Sequence, residues 1–128
     1  MRALLDTQAL LFFGLGDRRM PARIRKLIAS GDHDLLISVA TVWEIVLKDQ
    51  VGDFDLNRPA YEYVEYYCRE IALQPLEISM AHAFSVGSLP LHHHDPFDRI
   101  LIAQATVERV AIISGDFIFD DYDVEVIW

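Results

Sequence analysis

The chain has 128 residues, 52% hydrophobic and 24% charged, which is enough apolar material for one packed domain over residues 1–128 and too much for intrinsic disorder. Twenty acidic residues against eleven basic ones leave a net charge of −9, which excludes a surface coated in positive charge for indiscriminate duplex binding. Cys68 is alone, so no internal disulfide can form; no apolar run reaches the ~18–20 residues of a membrane span and no signal-peptide core follows Met1, so a cytoplasmic protein with no membrane partner is expected.

Arg2 to Leu5 reads as a short buried strand that stops at Asp6, and Thr7 to Phe13 as a helix ended by Gly14 and Gly16. Pro21 suits the first turn of a helix that runs to about Ser30 and stops at Gly31. Leu35 to Ile37 is a second strand leading into Ser38. Val39, Val42, Trp43, Val46 and Leu47 then recur at helical spacing until Gly52. Ala60, Tyr63, Val64, Tyr67, Cys68 and Ile71 form the apolar stripe of another helix and leave Tyr61 and Tyr66 outside it. Gln74 to Ile78 predicts a brief strand, and Ser79 caps a helix over Met80 to Val86. Asp95-Pro96 places a capping Asp before a first-turn Pro and opens a helix to Glu108 or Arg109. Val110 to Ile113 is a fourth strand ending in Ser114-Gly115-Asp116, and Val124 to Trp128 a fifth. Strands without clean alternation, separated by helices, predict a parallel sheet buried on both faces: a doubly wound α/β domain of about five strands flanked by helices.

In such a sheet, sites form in the crevice beyond the carboxyl ends of the strands. Asp6 follows the first strand and Asp116 lies just beyond the fourth, so both fall on that edge; Asp98 is in the first turn of a flanking helix, and Glu44 sits in an otherwise apolar helix. Carboxylates brought this close repel one another, and a hard divalent cation removes the penalty while leaving room for a substrate phosphate. Each acid also has a plainer account. Asp6 can cap its helix, Glu44 can pair with Lys48 on a solvated face, Asp98 can help cap its own helix, and Asp116 can serve the turn at Gly115.

Leu4-Leu5-Asp6-Thr7, Ser38 to Ile45 with its Trp43-Glu44-Ile45, Asp95-Pro96-Phe97-Asp98-Arg99 running on to Ile102-Ala103-Gln104-Ala105, and Ile113-Ser114-Gly115-Asp116 occur in this order. Together they resemble the PIN-domain ribonucleases, most nearly the VapC-type toxins of toxin–antitoxin pairs, over essentially the whole chain. The resemblance implies a PIN-like fold, an acidic pocket that binds Mg²⁺ or Mn²⁺ and cuts RNA, a homodimer, and inhibition by a cognate VapB-type antitoxin. It makes Asp6, Glu44, Asp98 and Asp116 the catalytic and metal-binding acids. Asp6 and Asp98 would bind the ion directly, Asp116 directly or through water, and Glu44 would hold a water and assist its deprotonation. Thr7, Ser114 and Asp95 are supporting candidates, with helix capping the alternative for each. Ser114 stands where the family usually has Thr, and Asp120, Asp121 and Asp123 crowd Asp116.

Arg18, Arg19, Arg23, Arg25 and Lys26 form the one basic cluster, where RNA phosphates can enter, a solvated helix face being the alternative. Arg99 either faces a phosphate or pairs with a neighbouring acid. His92-His93-His94 fits a loop before the Asp95 cap better than a metal site, because adjacent histidines do not readily face one ion and Mg²⁺ prefers oxygen. A phosphoacceptor receiver domain would need a Lys near its last strand, and the lysines are Lys26 and Lys48. A catalytically silent PIN-like protein-binding module is the remaining alternative.

Overall fold

The computed structural model describes residues 1–128 and places five strands in one sheet. They are β1 (Arg2–Leu5), β2 (Asp34–Ser38), β3 (Gln74–Leu76), β4 (Ala111–Ile113) and β5 (Val126–Ile127). Their order is β3-β2-β1-β4-β5, and every pairing is parallel. The chain steps outward from β1 to β2 and β3, then crosses back to β4 and β5. The strand order therefore reverses between β1 and β4, and the crevice at that switch point opens beyond Leu5 and Ile113.

Six helices flank the sheet: α1 (Thr7–Leu15), α2 (Ala22–Ala29), α3 (Val39–Gln50), α4 (Ala60–Glu70), α5 (Met80–Val86) and α6 (Pro96–Glu108). Because successive strand residues point to opposite faces, the short apolar strands feed two cores. Leu5, Ile37 and Ile113 join Leu10, Ile24, Ile45 and Tyr63 in the larger one. Leu4, Leu36 and Ile112 join Leu101, Ile102 and Phe119 in the smaller. At about 1.5–3 kcal/mol for each fully buried Leu or Ile, these two layers supply the stability that a lone Cys68 cannot.

Several element boundaries differ from the expected ones. Gly14 does not end α1; the helix continues through it to Leu15, and a Cβ at Gly14 would lie 2.7 Å from the Tyr63 hydroxyl and 2.8 Å from that of Tyr67. Close approach of α4 therefore demands the glycine. Gly16, at φ 64°, closes the helix by returning its N–H to the Phe12 and Phe13 carbonyls. The edge strands are shorter than their apolar runs, β3 ending at Leu76 and β5 starting at Val126. Between Asp116 and β5 the chain also makes a 3₁₀ turn over Phe117–Asp121, a stretch the sequence pattern leaves unassigned.

Candidate active site: an acidic cleft at the sheet edge

Asp6 leaves β1 as the N-cap of α1, and its Oδ1 accepts a hydrogen bond from the Ala9 N–H at 2.7 Å. Its Oδ2 accepts from the Ser114 hydroxyl at 2.5 Å, which ties the carboxyl ends of the two central strands together. The same Ser114 oxygen accepts from the Asp116 N–H at 3.0 Å, while Asp116 Oδ1 caps the 3₁₀ turn through Ile118 N–H. On α3, Glu44 accepts from the Thr7 hydroxyl and, through Oε2, from Lys48 Nζ at 2.8 Å. Asp95 caps α6 by accepting the Asp98 N–H at 3.0 Å, so Asp98 is released from capping. Asp6, Glu44, Asp95, Asp98 and Asp116 line one cleft of about 410 Å³.

The plainer accounts of these acids prove compatible with a shared cleft. Asp6 caps its helix and faces the cleft, and Glu44 pairs with a half-exposed Lys48 while itself being only 7% exposed. Asp120, Asp121 and Asp123 do not line the cleft; Asp116 does.

Burial pushes the Asp6 carboxyl up to about 7; the Ser114 and Ala9 donors pull it back, and the charges of Asp98 and Asp116 add to the rise. Asp98 is pushed up to about 6 by burial and by Asp95, with His93 offsetting part of the effect and Asp116 adding to it. No group of three or more Asp, Glu, His or Cys side chains stands ready around a single point to hold a metal ion. Mg²⁺ is commonly held by one or two carboxylates with waters completing its shell. An all-oxygen donor set in which burial drives Asp6 and Asp98 to take up protons fits such a hard cation.

The basic residues divide by what they touch. Arg19 lines the cleft, pairs with Asp17 at 2.8 Å and stacks 4.3 Å from the Phe12 ring centroid. Arg25 donates to the Phe12 and Phe13 carbonyls, and Arg23 to the Trp128 carbonyl. Arg18 and Lys26 are exposed. Arg99 neither faces a phosphate nor pairs with an acid. It is 7% exposed and donates to the carbonyls of Val86, Leu89, Pro90 and His93 and to the Tyr122 hydroxyl. Its position after Asp98 suggests the cleft, but helical geometry turns it a full 100° away, into the loop before α6. Lys48, which the sequence offers only as a partner for Glu44, lines the cleft as its second cation; the i,i+4 spacing was its signal.

Carboxylates gathered at the switch point of a doubly wound parallel sheet, with Arg19 and Lys48 at the rim, define an α/β protein with a site suited to a hard cation and an anionic ligand. The chain belongs to the PIN domain family, whose sequence pattern matches residues 3–125; members of that family are generally nucleases. In fold it is similar to a chain of the VapBC2 complex of Rickettsia felis bound to a DNA fragment from its promoter, at TM-score 0.77 and 13% identity over 99% of this chain and 98% of that one. A chain of the DNA-bound VapBC complex of Salmonella typhimurium gives TM-score 0.70 and 15% identity over 99% and 97%. A chain of FitAcB from Neisseria gonorrhoeae gives TM-score 0.65 and 20% identity over 98% and 96%. At these identities the likeness is one of fold. No curated protein sequence matches the chain. No helix is long and apolar enough to cross a membrane.

Proposed function

We propose that the protein is a metal-dependent endoribonuclease and the toxin of a VapBC-type pair, acting in the cytoplasm as a homodimer restrained by a cognate VapB-type antitoxin. The observation that carries this reading is the convergence of Asp6, Glu44, Asp98 and Asp116 on one cleft at the sheet's switch point. Similarity in fold to chains of several VapBC complexes supports the partner. Asp6 and Asp98 would hold Mg²⁺ or Mn²⁺ directly, with Asp116 reaching it through water, and the bound ion would neutralise the acids and polarise the phosphate and the attacking water. Ser114 orients Asp6, and Thr7 orients Glu44. Glu44 keeps lone pairs free beyond those given to Thr7 and Lys48, and these take the proton of the water. As the new phosphorus–oxygen bond forms, the bond to the leaving ribose oxygen breaks. Lys48 and Arg19 supply positive charge for the phosphate at the rim.

The test incubates the purified protein with total RNA, and separately with single-stranded DNA, in Mg²⁺, Mn²⁺ or chelator, beside Asp98→Asn. Shortening of RNA by the wild type in either metal, absent in chelator and in the variant, is expected. Cleavage that persists in chelator or in the variant refutes the metal mechanism, and cleavage of DNA alone refutes the RNA substrate. Tight capture of a small partner with no cleavage of either nucleic acid establishes the silent binding module.

A further inference from the structure

The histidine run before Asp95 and the buried Arg99 meet in a single chain of hydrogen bonds that ends on Asp98. Arg99 Nη1 lies 3.1 Å from the Tyr122 hydroxyl, that hydroxyl lies 2.7 Å from His93 Nδ1, and His93 Nε2 lies 3.3 Å from Asp98 Oδ2. The first member sets a direction in which the whole chain can run. A guanidinium can only donate, so the Tyr122 oxygen accepts from Arg99 and its own hydrogen is free to turn to His93 Nδ1. An Nδ1 that accepts leaves the proton of a neutral imidazole on Nε2, which donates to Asp98.

The chain is also held firmly at its far end. Arg99 and Tyr122 are 7% and 6% exposed, and Arg99 pins the loop that carries His93 through three of its backbone carbonyls and that of Val86 at the end of α5. His92 packs edge-on against the Tyr122 ring and His94 is exposed, so one histidine of the three reaches an acid of the cleft. Asp98 Oδ1 accepts no hydrogen bond from the protein, while Oδ2 is committed to His93.

We infer that His93 is a positioning residue: fixed in its Nε2–H form by Tyr122 and Arg99, it holds one oxygen of Asp98 and leaves the other for a divalent cation in the cleft. The inference rests on the reading of Asp98 as a metal ligand. Outer partners of this kind orient a ligating carboxylate, and their loss commonly lowers metal affinity about 10- to 100-fold.

The decisive experiment measures Mn²⁺ affinity by electron paramagnetic resonance for the wild type and for Tyr122→Phe, His93→Ala, His93→Gln and Asp98→Asn. Circular dichroism confirms that each variant is folded. Nitrogen NMR of the wild type without metal reports which imidazole nitrogen of His93 carries the proton. Protonated Nε2, a loss of about 10- to 100-fold in Tyr122→Phe and His93→Ala, and recovery in His93→Gln, whose amide nitrogen replaces Nε2, are expected. A proton on Nδ1, or wild-type affinity in His93→Ala while Asp98→Asn binds weakly, overturns the positioning role and leaves the metal site standing. Failure of His93→Gln to recover affinity overturns it too, since packing alone then explains the alanine variant. Wild-type affinity in Asp98→Asn removes the metal site itself, and the positioning role with it.

Discussion

Asp6 and Asp98 are held where carboxylates are uncomfortable, with ordinary values displaced to about 7 and about 6. A carboxyl whose value is raised on folding binds more protons in the folded chain than in the unfolded one, so stability falls as pH rises through that interval. Without metal, the thermal midpoint should therefore drop between about pH 4 and pH 7, and Mg²⁺ should restore it at the upper end. Asp98→Asn carries no charge to desolvate and keeps an acceptor for His93. Its midpoint at pH 7.5 in chelator should exceed that of the wild type, and the two should converge near pH 4; a wild-type midpoint that stays flat across this range would remove the electrostatic strain. Thr7 allows a cleaner test of positioning. Thr7→Val keeps the shape of a buried side chain and deletes the donor to Glu44. Hydrogen bonds to charged groups contribute about 1.5–3 kcal/mol, so kcat should fall at least about tenfold with little change in KM. An unchanged kcat would show that Glu44 needs no orientation from Thr7.

At the scale of elements, the strands and helices that build the site are those with the strongest local signals. Asp95-Pro96 marks the start of α6, Ser79 that of α5, and the uninterrupted Leu4-Leu5 and Ile112-Ile113 mark central strands buried on both faces. These fix the sheet edge on which Asp6 and Asp116 fall. What the sequence hides is contact between elements. Gly14 looks like a helix stop because nothing nearby in sequence announces the tyrosine hydroxyls of α4. Arg99 looks like a cleft residue because its partners are carbonyls of a loop and of the end of α5, which carry no sequence signature. Gly115 belongs with these. A Cβ there would lie 2.5 Å from the Trp128 ring, which packs against the turn carrying Ser114 and Asp116. Gly115→Ala should cost about 1–3 kcal/mol by overpacking, lower the thermal midpoint and shift tryptophan emission as the ring is displaced. Full activity together with an unshifted midpoint would mean that the ring yields freely.

Over the whole molecule, a net charge of −9 opposes the approach of any polyanion, so under the proposed activity the few accessible cations would govern encounter with RNA. The five-base cluster is legible in the sequence, but its division of labour is set by neighbours distant in sequence. Arg25 satisfies carbonyls at the end of α1, so it is not free to follow a substrate, and the exposed Arg23 bonds the Trp128 carbonyl. Arg19 reaches the cleft, while Arg18 and Lys26 stand exposed. For single strands, each phosphate contact contributes about −0.7 to the slope of log affinity against log salt. In an Asp98→Asn parent, replacing Arg18, Arg19 and Lys26 together by Ala should weaken RNA binding, leave the fold intact and reduce the magnitude of that slope by up to about 2, as filter binding at graded salt would show. Arg25→Ala in the same parent should keep the parental slope and lose thermal stability, because its hydrogen bonds end on the protein itself. Equal slopes in the triple variant and its parent would mean that RNA enters by another face, since counterion release follows the phosphates wherever they are held.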